Sequence, residues 1–315
     1  MQPIIKVIGV GGSGSNTVSR MARLHQGFGG QAKFNAIELL AVNTDAQALF
    51  FSKVDKKLLI GKNITKGLGT GMNADLGRRS AEESKKEISE NLKGADMVFV
   101  TCGLGGGTGS GASPIIAEIS RDLGILTIGV VTTPFSFEGQ ERKKVADLAL
   151  KNLREKVDSL LVISNDKLLK VINEKTTVSN AFSICDDVLR EAVQSITDLI
   201  LVPGIINIDF ASVVSVMKNS GQSIFGVGKA FGENRAVVAA ENAINSPLLD
   251  CSIKGSKAVL FSVSGDDFTL NEIQEAAKII TKNVDSRAQI IFGAVKDGNL
   301  KKGEIKITVI ATKLV

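Results

Sequence analysis

The sequence predicts an α/β fold with a Rossmann-like parallel sheet, a long central helix and a smaller mixed α/β C-terminal domain. In residues 1–177, short β-branched runs alternate with helix-length amphipathic stretches, the pattern of βαβ units. Residues 178–203 form one long segment with apolar residues at three-to-four spacing, which ends at Pro203-Gly204. Residues 204–315 mix helix and strand signals with fewer glycine-rich loops. These observations divide the chain into two domains joined by a helix.

The predicted elements follow in order along the chain. In the first region we expect strands at 4–10, 36–42, 96–102, 125–132 and 159–164, alternating with helices at 14–24, 75–92, 111–123 and 138–156. The central helix, 178–202, carries apolar residues on more than one side, which predicts burial between two bodies. Helices at 235–245 and 269–283 then separate strands at 258–264, 289–295 and 304–312. Right-handed crossovers between parallel strands make the first region doubly wound.

Composition excludes several classes of function. The 315 residues contain no Trp, no Tyr and one His, which excludes His-based metal sites, Ser-His-Asp triads and tyrosine stacking platforms. The net charge of +5 comes from scattered basic residues, so nucleic-acid binding is not predicted. Three widely spaced Cys with no CxxC and no signal region indicate a reducing cytoplasm. No apolar run reaches the length of a membrane helix.

Two glycine loops follow predicted strands. The first, Gly9–Gly14, matches GxGxxG, and a nicotinamide oxidoreductase is one alternative; however, the nearest acid after the next strand, Asp45, lies thirty-one residues past Gly14 rather than the usual ~20. The second has six glycines in residues 103–111 and runs directly into a helix. Its unhindered N–H groups and the helix dipole suit di- or triphosphate oxygens. The two loops are expected to converge on one crevice.

The motif GGGTGSG at 105–111 and seven further motifs resemble the tubulin/FtsZ family of bacterial-type cell-division GTPases along nearly the whole chain. The other motifs are GVGGSGSN (9–16), AVNTDAQAL (41–49), GLGTG (67–71), TTPFSFEGQER (132–142), SND (164–166), IINIDF (205–210) and GENRA (232–236). The resemblance implies a GTP-binding cytoskeletal protein that forms septal filaments in the cytoplasm at the division site. It implies GTP/GDP and Mg²⁺ as ligands, and a head-to-tail homopolymer as the assembly.

The resemblance also implies the site residues. Phe182 and Asp186 lie four apart on one helix face, where a ring can stack on a purine while a carboxylate accepts guanine N1–H and N2–H. Asn43 and Asp45, with Thr70-Gly71, map to loops near phosphate and Mg²⁺. The full set implied for nucleotide binding is Gly11, Gly12, Asn16, Gly103, Gly105, Gly106, Gly107, Thr108, Gly109, Thr132, Glu138, Arg142, Asn165, Phe182 and Asp186.

In this family the loop after the central helix completes the next subunit's active site. The catalytic residues implied here are Asn207 and Asp209, but the family pattern NxDxxD ends at Ser212. A serine cannot carry the second negative charge at neutral pH, and loss of such a group typically lowers the rate by ~10²–10⁴. We therefore expect GTP binding and polymerisation with slow turnover; the alternative is a nucleotide-stabilised filament with negligible turnover, unless a residue such as Asp198 substitutes.

Two departures from the family pattern remain. Residues 25–34 add about eight residues between the first helix and second strand, which predicts a glycine-rich surface loop. The sequence ends within the last predicted strand, without the family's linker and terminal peptide, so capture of membrane adaptors through a tail is not expected.

Overall fold

A computed structural model of the chain describes residues 2–27, 37–169, 176–246, 252–298 and 300–313. The chain divides into two compact units, 1–194 and 195–315. The division falls within a long helix, α9 (Val178–Leu201), which begins where the sequence predicts and ends one residue earlier. The domain boundaries at 177 and 203 stay predictions.

Six strands of the first unit form a wholly parallel sheet in the order β3–β2–β1–β4–β5–β6. They are β1 (Ile5–Val10), β2 (Ile37–Asn43), β3 (Lys56–Leu59), β4 (Met97–Gly103), β5 (Leu126–Thr133) and β6 (Ser159–Ser164). All were predicted except the short β3. This is the order of a doubly wound sheet whose winding reverses between β1 and β4, so the Rossmann-like prediction is confirmed.

Eight helices accompany this sheet before α9 within the described part of the first unit. They are α1 (Gly11–Gly27), α2 (Ala46–Phe51), α3 (Lys62–Thr65), α4 (Ala74–Glu83), α5 (Lys85–Leu92), α6 (Gly107–Asp122), α7 (Gln140–Lys156) and α8 (Asn165–Leu168). A 3-10 turn, Ser136–Glu138, precedes α7. Strands β1 and β4 are buried along almost their whole length, as expected of parallel strands covered on both faces.

Three predicted helices differ from the structure by a break or by more than two residues. The predicted helix 75–92 is broken at Ser84, whose buried hydroxyl accepts a hydrogen bond from the Gly61 N–H at 3.2 Å instead of facing solvent. Helix α6 begins at Gly107, because Gly105 has φ +96° and Gly106 is extended, which turns the chain directly into the helix. Helix α1 runs from Gly11 to Gly27, so residues 25–27 of the predicted loop are helical; residues 28–34 lie outside the described ranges.

The second unit contains a mixed four-stranded sheet in the order β7–β10–β8–β9, in which only the β8–β9 pair is parallel. Its strands are β7 (Gly221–Phe231), β8 (Ala258–Gly265), β9 (Gln289–Lys296) and β10 (Glu304–Thr312), and its helices α10 (Phe210–Met217), α11 (Arg235–Ile244) and α12 (Leu270–Thr281). The mixed α/β prediction is confirmed, although α10 and β7 were not foreseen.

The buried alanines of α11 lie close to β7. A Cβ added to Gly228 would lie 1.9 Å from the Ala239 carbonyl oxygen, so only glycine permits this approach. Within the described ranges, the helices lack an uncharged apolar stretch of the length that a bilayer span requires.

Candidate functional site

The switch in winding direction places two loops side by side at the carboxyl edge of the first sheet. Strands β1 and β4 are neighbours, with Gly9 paired to Thr101, and they lead into α1 and α6. Ligands of doubly wound sheets bind in the crevice at such a switch point. The candidate site is therefore placed by strand order before any side chain is considered.

The two glycine loops meet at this edge. A Cβ on Gly11, which has φ +71°, would lie 2.9 Å from the Gly109 backbone nitrogen. By contrast, a Cβ on Gly12 or Gly106 would meet nothing within 4 Å. The predicted convergence is confirmed, and these two glycines are the points at which the loop backbone lies open.

Two other glycines of the second loop, Gly107 and Gly111, allow close helix packing. A Cβ on Gly107 would lie 2.3 Å from Thr70 Oγ1, and one on Gly111 would lie 2.0 Å from the Ala74 carbonyl oxygen of α4. In return, a Cβ on Gly77 would lie 2.3 Å from the Gly107 carbonyl oxygen. The density of glycine in this loop therefore reflects close packing of α6 on α4 as well as an open backbone.

Thr108 joins three loops through its hydroxyl. Its Oγ1 lies 2.6 Å from Thr44 Oγ1 and 3.3 Å from Thr70 Oγ1, and all three side chains are buried. Thr132 is also buried, and its carbonyl accepts the Leu104 N–H at 2.8 Å, which fastens β5 to the start of the second loop. These contacts fix the loop conformation from residues far apart in sequence.

Asp186 is a buried carboxylate held by the first helix. Ser13 donates its hydroxyl to Asp186 Oδ1 at 3.3 Å, and Arg20 Nε lies 3.6 Å from Oδ2. Burial raises the pKa of Asp186 to about 6, while Arg20 and then Ser13 oppose that rise. A 7% exposed carboxylate with a shifted pKa, in contact with the first glycine loop, marks a functional candidate.

Phe182, one turn before Asp186 on α9, contacts an aromatic pair from the segment before α7. Phe182 is 40% exposed and meets Phe135 edge-on at a centroid distance of 5.5 Å, and Phe135 stacks on Phe137 at 4.9 Å. Because Phe182 keeps much of its ring exposed while being supported from behind, it can offer a face to a planar ligand.

Glu138 and Arg142 form an ion pair across one turn. Glu138 also accepts the Phe135 N–H at 2.9 Å through Oε1, which fixes the turn before α7. The side chain of Glu138 is 10% exposed and that of Arg142 41%. The Glu138–Arg142 ion pair is therefore present in the structure, and Arg142 is its more exposed partner.

Two predicted polar contacts differ in their surroundings. Asn165 is buried at the end of β6, and its side-chain oxygen has no hydrogen-bond partner within the described part of the chain. An unpaired buried acceptor is costly, so this atom is a candidate ligand contact. Asn16, in the first turns of α1, is exposed.

The loop after β2 offers little for direct metal chelation. The side-chain oxygen of Asn43 accepts the N–H groups of Thr44 and Asp45 at 2.9 and 3.3 Å. Asp45 caps α2 by accepting the Ala48 N–H at 3.0 Å through Oδ1. Among the described residues, no group of three His, Cys, Asp or Glu side chains is arranged to hold a metal ion. These residues suit at most an ion held mainly by its substrate and water.

In segment 204–212 of the second unit, the backbone of Ile206 pairs with Ala294 of β9, whereas the side chains of Asn207 and Asp209 make local contacts. Asn207 Oδ1 accepts the Gly204 N–H at 2.6 Å, and Asp209 caps α10 by accepting the Ser212 N–H at 2.8 Å. The Ser212 side chain and N–H lower the pKa of the exposed Asp209 carboxyl, so it is ionised at neutral pH. Ser212 thus supports Asp209 rather than supplying a second charge.

Sequence reasoning missed Ser13, Arg20 and Thr44 as site residues. Ser13 stands inside the first glycine loop, which was a usable signal. Thr44 stands inside the AVNTDAQAL motif, between Asn43 and Asp45, which was also a usable signal. Arg20 carries none, because its role depends on Asp186, which is far away in the sequence.

Comparison with known proteins agrees with this geometry. Residues 4–173 match the family model of the tubulin/FtsZ GTPase domain, and residues 221–315 match that of the FtsZ C-terminal domain. The chain is 49% identical over 314 residues to the cell division protein FtsZ of Caulobacter vibrioides, covering 99% of this chain and 60% of that protein. It thus spans about 60% of the length of that relative.

Solved structures give the same result. An FtsZ dimer from M. jannaschii aligns with a TM-score of 0.91 at 42% identity, covering 99% of this chain and 88% of that one. CetZ1 from Haloferax volcanii aligns at 0.84 and 21% identity, covering 100% and 95%, which shows a common fold. The strand order, the paired glycine loops and these matches together show that the chain belongs to the tubulin/FtsZ family.

Proposed function

We propose that this chain binds GTP at the carboxyl edge of its first sheet, assembles head to tail with itself, and hydrolyses GTP slowly where two subunits meet. In the cell it would serve division as a cytoplasmic filament at the division site. The observation that carries this proposal is the convergence of two glycine loops beside Asp186, a buried carboxylate fixed by Ser13 of the first loop. One edge of the sheet thus offers groups for phosphates and for a purine base.

The phosphates are assigned to the glycine loops and the start of α6. Gly12 and Gly106 present open backbone, and the sixteen-residue helix α6 brings its first N–H groups and dipole to the same place. Around them stand the other residues proposed for phosphate contact or loop support: Gly11, Gly103, Gly105, Gly107, Thr108, Gly109 and Thr132.

The base and ribose are assigned to the α9 side of the crevice. The Asp186 carboxylate would accept guanine N1–H and N2–H, and adenine, which presents an acceptor at N1 and no 2-amino group, would leave that carboxylate unpaired. Phe182 would stack on the base. Asn16, Glu138, Arg142 and the unpaired oxygen of Asn165 are proposed for the ribose, base and phosphate contacts.

Mg²⁺ would supply charge neutralisation on the phosphates when bound. The side-chain oxygen of Asn43 already accepts backbone N–H groups of its own loop, whereas Asp45 uses only one of its two carboxylate oxygens to cap α2. We therefore assign Asp45, and not Asn43, as the residue able to meet the ion or its water shell.

Hydrolysis is assigned to Asn207 and Asp209 acting on the nucleotide of a neighbouring copy. Two different surfaces meet in such a contact, and repetition gives an open filament. The ionised Asp209 would orient the attacking water, while Ser212 adds a hydroxyl but no charge. This favours slow turnover, and a filament with negligible turnover is the second candidate on the same observation.

The test is phosphate release from GTP with Mg²⁺ at rising protein concentration, with light scattering followed in the same sample. We expect scattering and slow release above one threshold. Ser212→Asp should raise the rate by about 10–100-fold, while Ser212→Asn, of similar size and without charge, should not. Scattering with no release in wild type would select the second candidate. Equal rates in wild type and Ser212→Asp would refute the role given to Ser212, and neither signal would refute the filament proposal.

A further inference from the structure

We propose that Arg20 is a positioning residue that holds the Asp186 carboxylate in the orientation needed to read a guanine base. This inference rests on the proposed function and adds to it the residue that keeps the base pocket selective. It concerns the side of the crevice formed by α1 and α9, where Arg20 lies outside every sequence motif.

The contacts of Arg20 converge on one stretch of α9. Its guanidinium donates to Ser183 Oγ at 2.8 Å, and other nitrogens of the same group lie 3.6 Å from Asp186 Oδ2 and 3.6 Å from Asp187 Oδ2. A planar guanidinium can engage three partners in fixed directions, which an ammonium group cannot do. The side chain of Arg20 is 32% exposed, so its attraction to Asp186 is only partly screened.

The two oxygens of Asp186 are held separately. Ser13 donates to Oδ1, whereas Arg20 faces Oδ2. Ser13 and Arg20 stand seven residues apart on α1, two turns along the same helix face. One face of α1 therefore fixes the plane of the carboxylate while the remaining lone pairs stay available to a ligand.

The charge balance requires such a partner. The charged groups facing Asp186 in the described part of the molecule are Arg20 from α1 and Asp187 from α9 itself. Burial and Asp187 both favour the protonated carboxyl, and Arg20 is the cation that opposes them. A protonated carboxyl would lose one acceptor oxygen and could no longer take both guanine N–H groups. Removing the cation should thus weaken recognition of the base specifically.

The experiment measures the affinity of the whole chain for GDP and for IDP, which lacks the 2-amino group, between pH 5.5 and 8. We expect Arg20→Gln to weaken GDP binding about tenfold, to reduce the GDP-to-IDP affinity ratio at least threefold, and to move the acid-side loss of GDP affinity up by about one pH unit. Arg20→Lys, which keeps the positive charge, should show the wild-type pH dependence of GDP affinity but only part of the wild-type GDP-to-IDP affinity ratio. The control is Arg23→Gln, an exposed arginine one turn along α1, which should bind as wild type.

A double variant separates positioning from direct contact. In an Asp186→Asn background, Arg20→Gln should change GDP affinity less than twofold, because there is no carboxylate left to hold. An unchanged ratio and pH profile in Arg20→Gln would overturn the proposal, as would an undiminished effect of Arg20→Gln in the Asp186→Asn background, which would mean that Arg20 touches the nucleotide. If Arg20→Gln fails to fold, the GDP-to-IDP affinity ratio of Arg20→Lys is the test: a ratio below that of wild type supports the proposal, and an unchanged ratio overturns it. A wild type that does not prefer GDP to IDP would instead refute the proposed function.

Discussion

The two segments assigned to nucleotide chemistry are built in opposite ways. At the switch-point edge of the first unit, polar groups are buried and tied to residues far away in sequence: Ser13 to Asp186, and Thr108 to Thr44. In segment 204–212 of the second unit, Asn207 and Asp209 are exposed, and each takes a backbone N–H three residues away.

The site in the first unit is therefore organised by contacts within one chain, whereas Asp209 is displayed on the surface without such contacts around it. A buried carboxylate with fixed partners can discriminate a ligand by itself, because its environment already has a low dielectric. An exposed Asp209 in water has little influence on a reaction until something excludes the solvent around it. This contrast supports the proposal that the second segment acts on a partner's ligand, and four experiments test it.

The largest effect is expected at Asp209. Asp209→Asn keeps a good helix N-cap, so the free energy of unfolding should stay within ~0.5 kcal/mol of wild type, while phosphate release should fall by ~10²-fold or more because the charge is lost. Asp209→Ala should lose both turnover and ~1 kcal/mol of stability. A GTPase assay measures the phosphate-release rate, and chemical denaturation measures the free energy of unfolding. An active Asp209→Asn variant would show that the carboxylate charge is not used.

Next in size is Asp186→Asn. The amide presents one acceptor and one donor in place of two acceptors, so GDP affinity should fall by ~100-fold, or about 3 kcal/mol, and preference should move toward xanthosine diphosphate, whose C2 carbonyl accepts the new N–H. Binding titrations with both nucleotides measure this. Retained preference for GDP would place the base away from Asp186.

A matched pair of glycine substitutions should split ligand contact from packing. Gly12→Ala meets open space, so the fold should be unaffected and GDP affinity reduced by ~10-fold because the backbone can no longer approach phosphate. Gly107→Ala places a Cβ 2.3 Å from Thr70 Oγ1 and should destabilise the protein by ~1–3 kcal/mol. Thermal unfolding and nucleotide titration of both variants test the split. If Gly12→Ala destabilised the chain as much as Gly107→Ala, the distinction between a glycine that contacts ligand and a glycine that allows close packing would be refuted.

The smallest expected effect is the pH dependence of thermal stability in the nucleotide-free protein. The pKa of Asp186 is about 6 in the folded chain, above its ordinary value of 3.8, so the folded state binds more protons than the unfolded state between those values. The contribution of Asp186 to stability is thus present at low pH and is lost as pH rises through about 6. The Tm of wild type should fall by a few degrees relative to Asp186→Asn between pH 5 and pH 7.5. Parallel Tm curves would show that burial does not perturb this carboxyl.

Much of the fold was predictable because its signals are local. The alternation of strands and helices, the end of α9 near Pro203-Gly204 and the mixed second sheet all follow from hydrophobic period and glycine placement. The predicted helix 75–92 failed at Ser84 because the break depends on a hydrogen bond with Gly61, twenty-three residues earlier.

The candidate site divides in the same manner. The sequence by itself determined which residues are chemically able to serve: open glycines for phosphate, a carboxylate and a ring four residues apart, and a loop with one acid and a serine. Only the tertiary structure decided which of them are fixed, exposed or unpaired, and which unpredicted residues, Ser13, Arg20 and Thr44, hold them. The physical reason is that burial and hydrogen bonding between distant segments arise when strands assemble into a sheet, and no spacing along the chain records those partners.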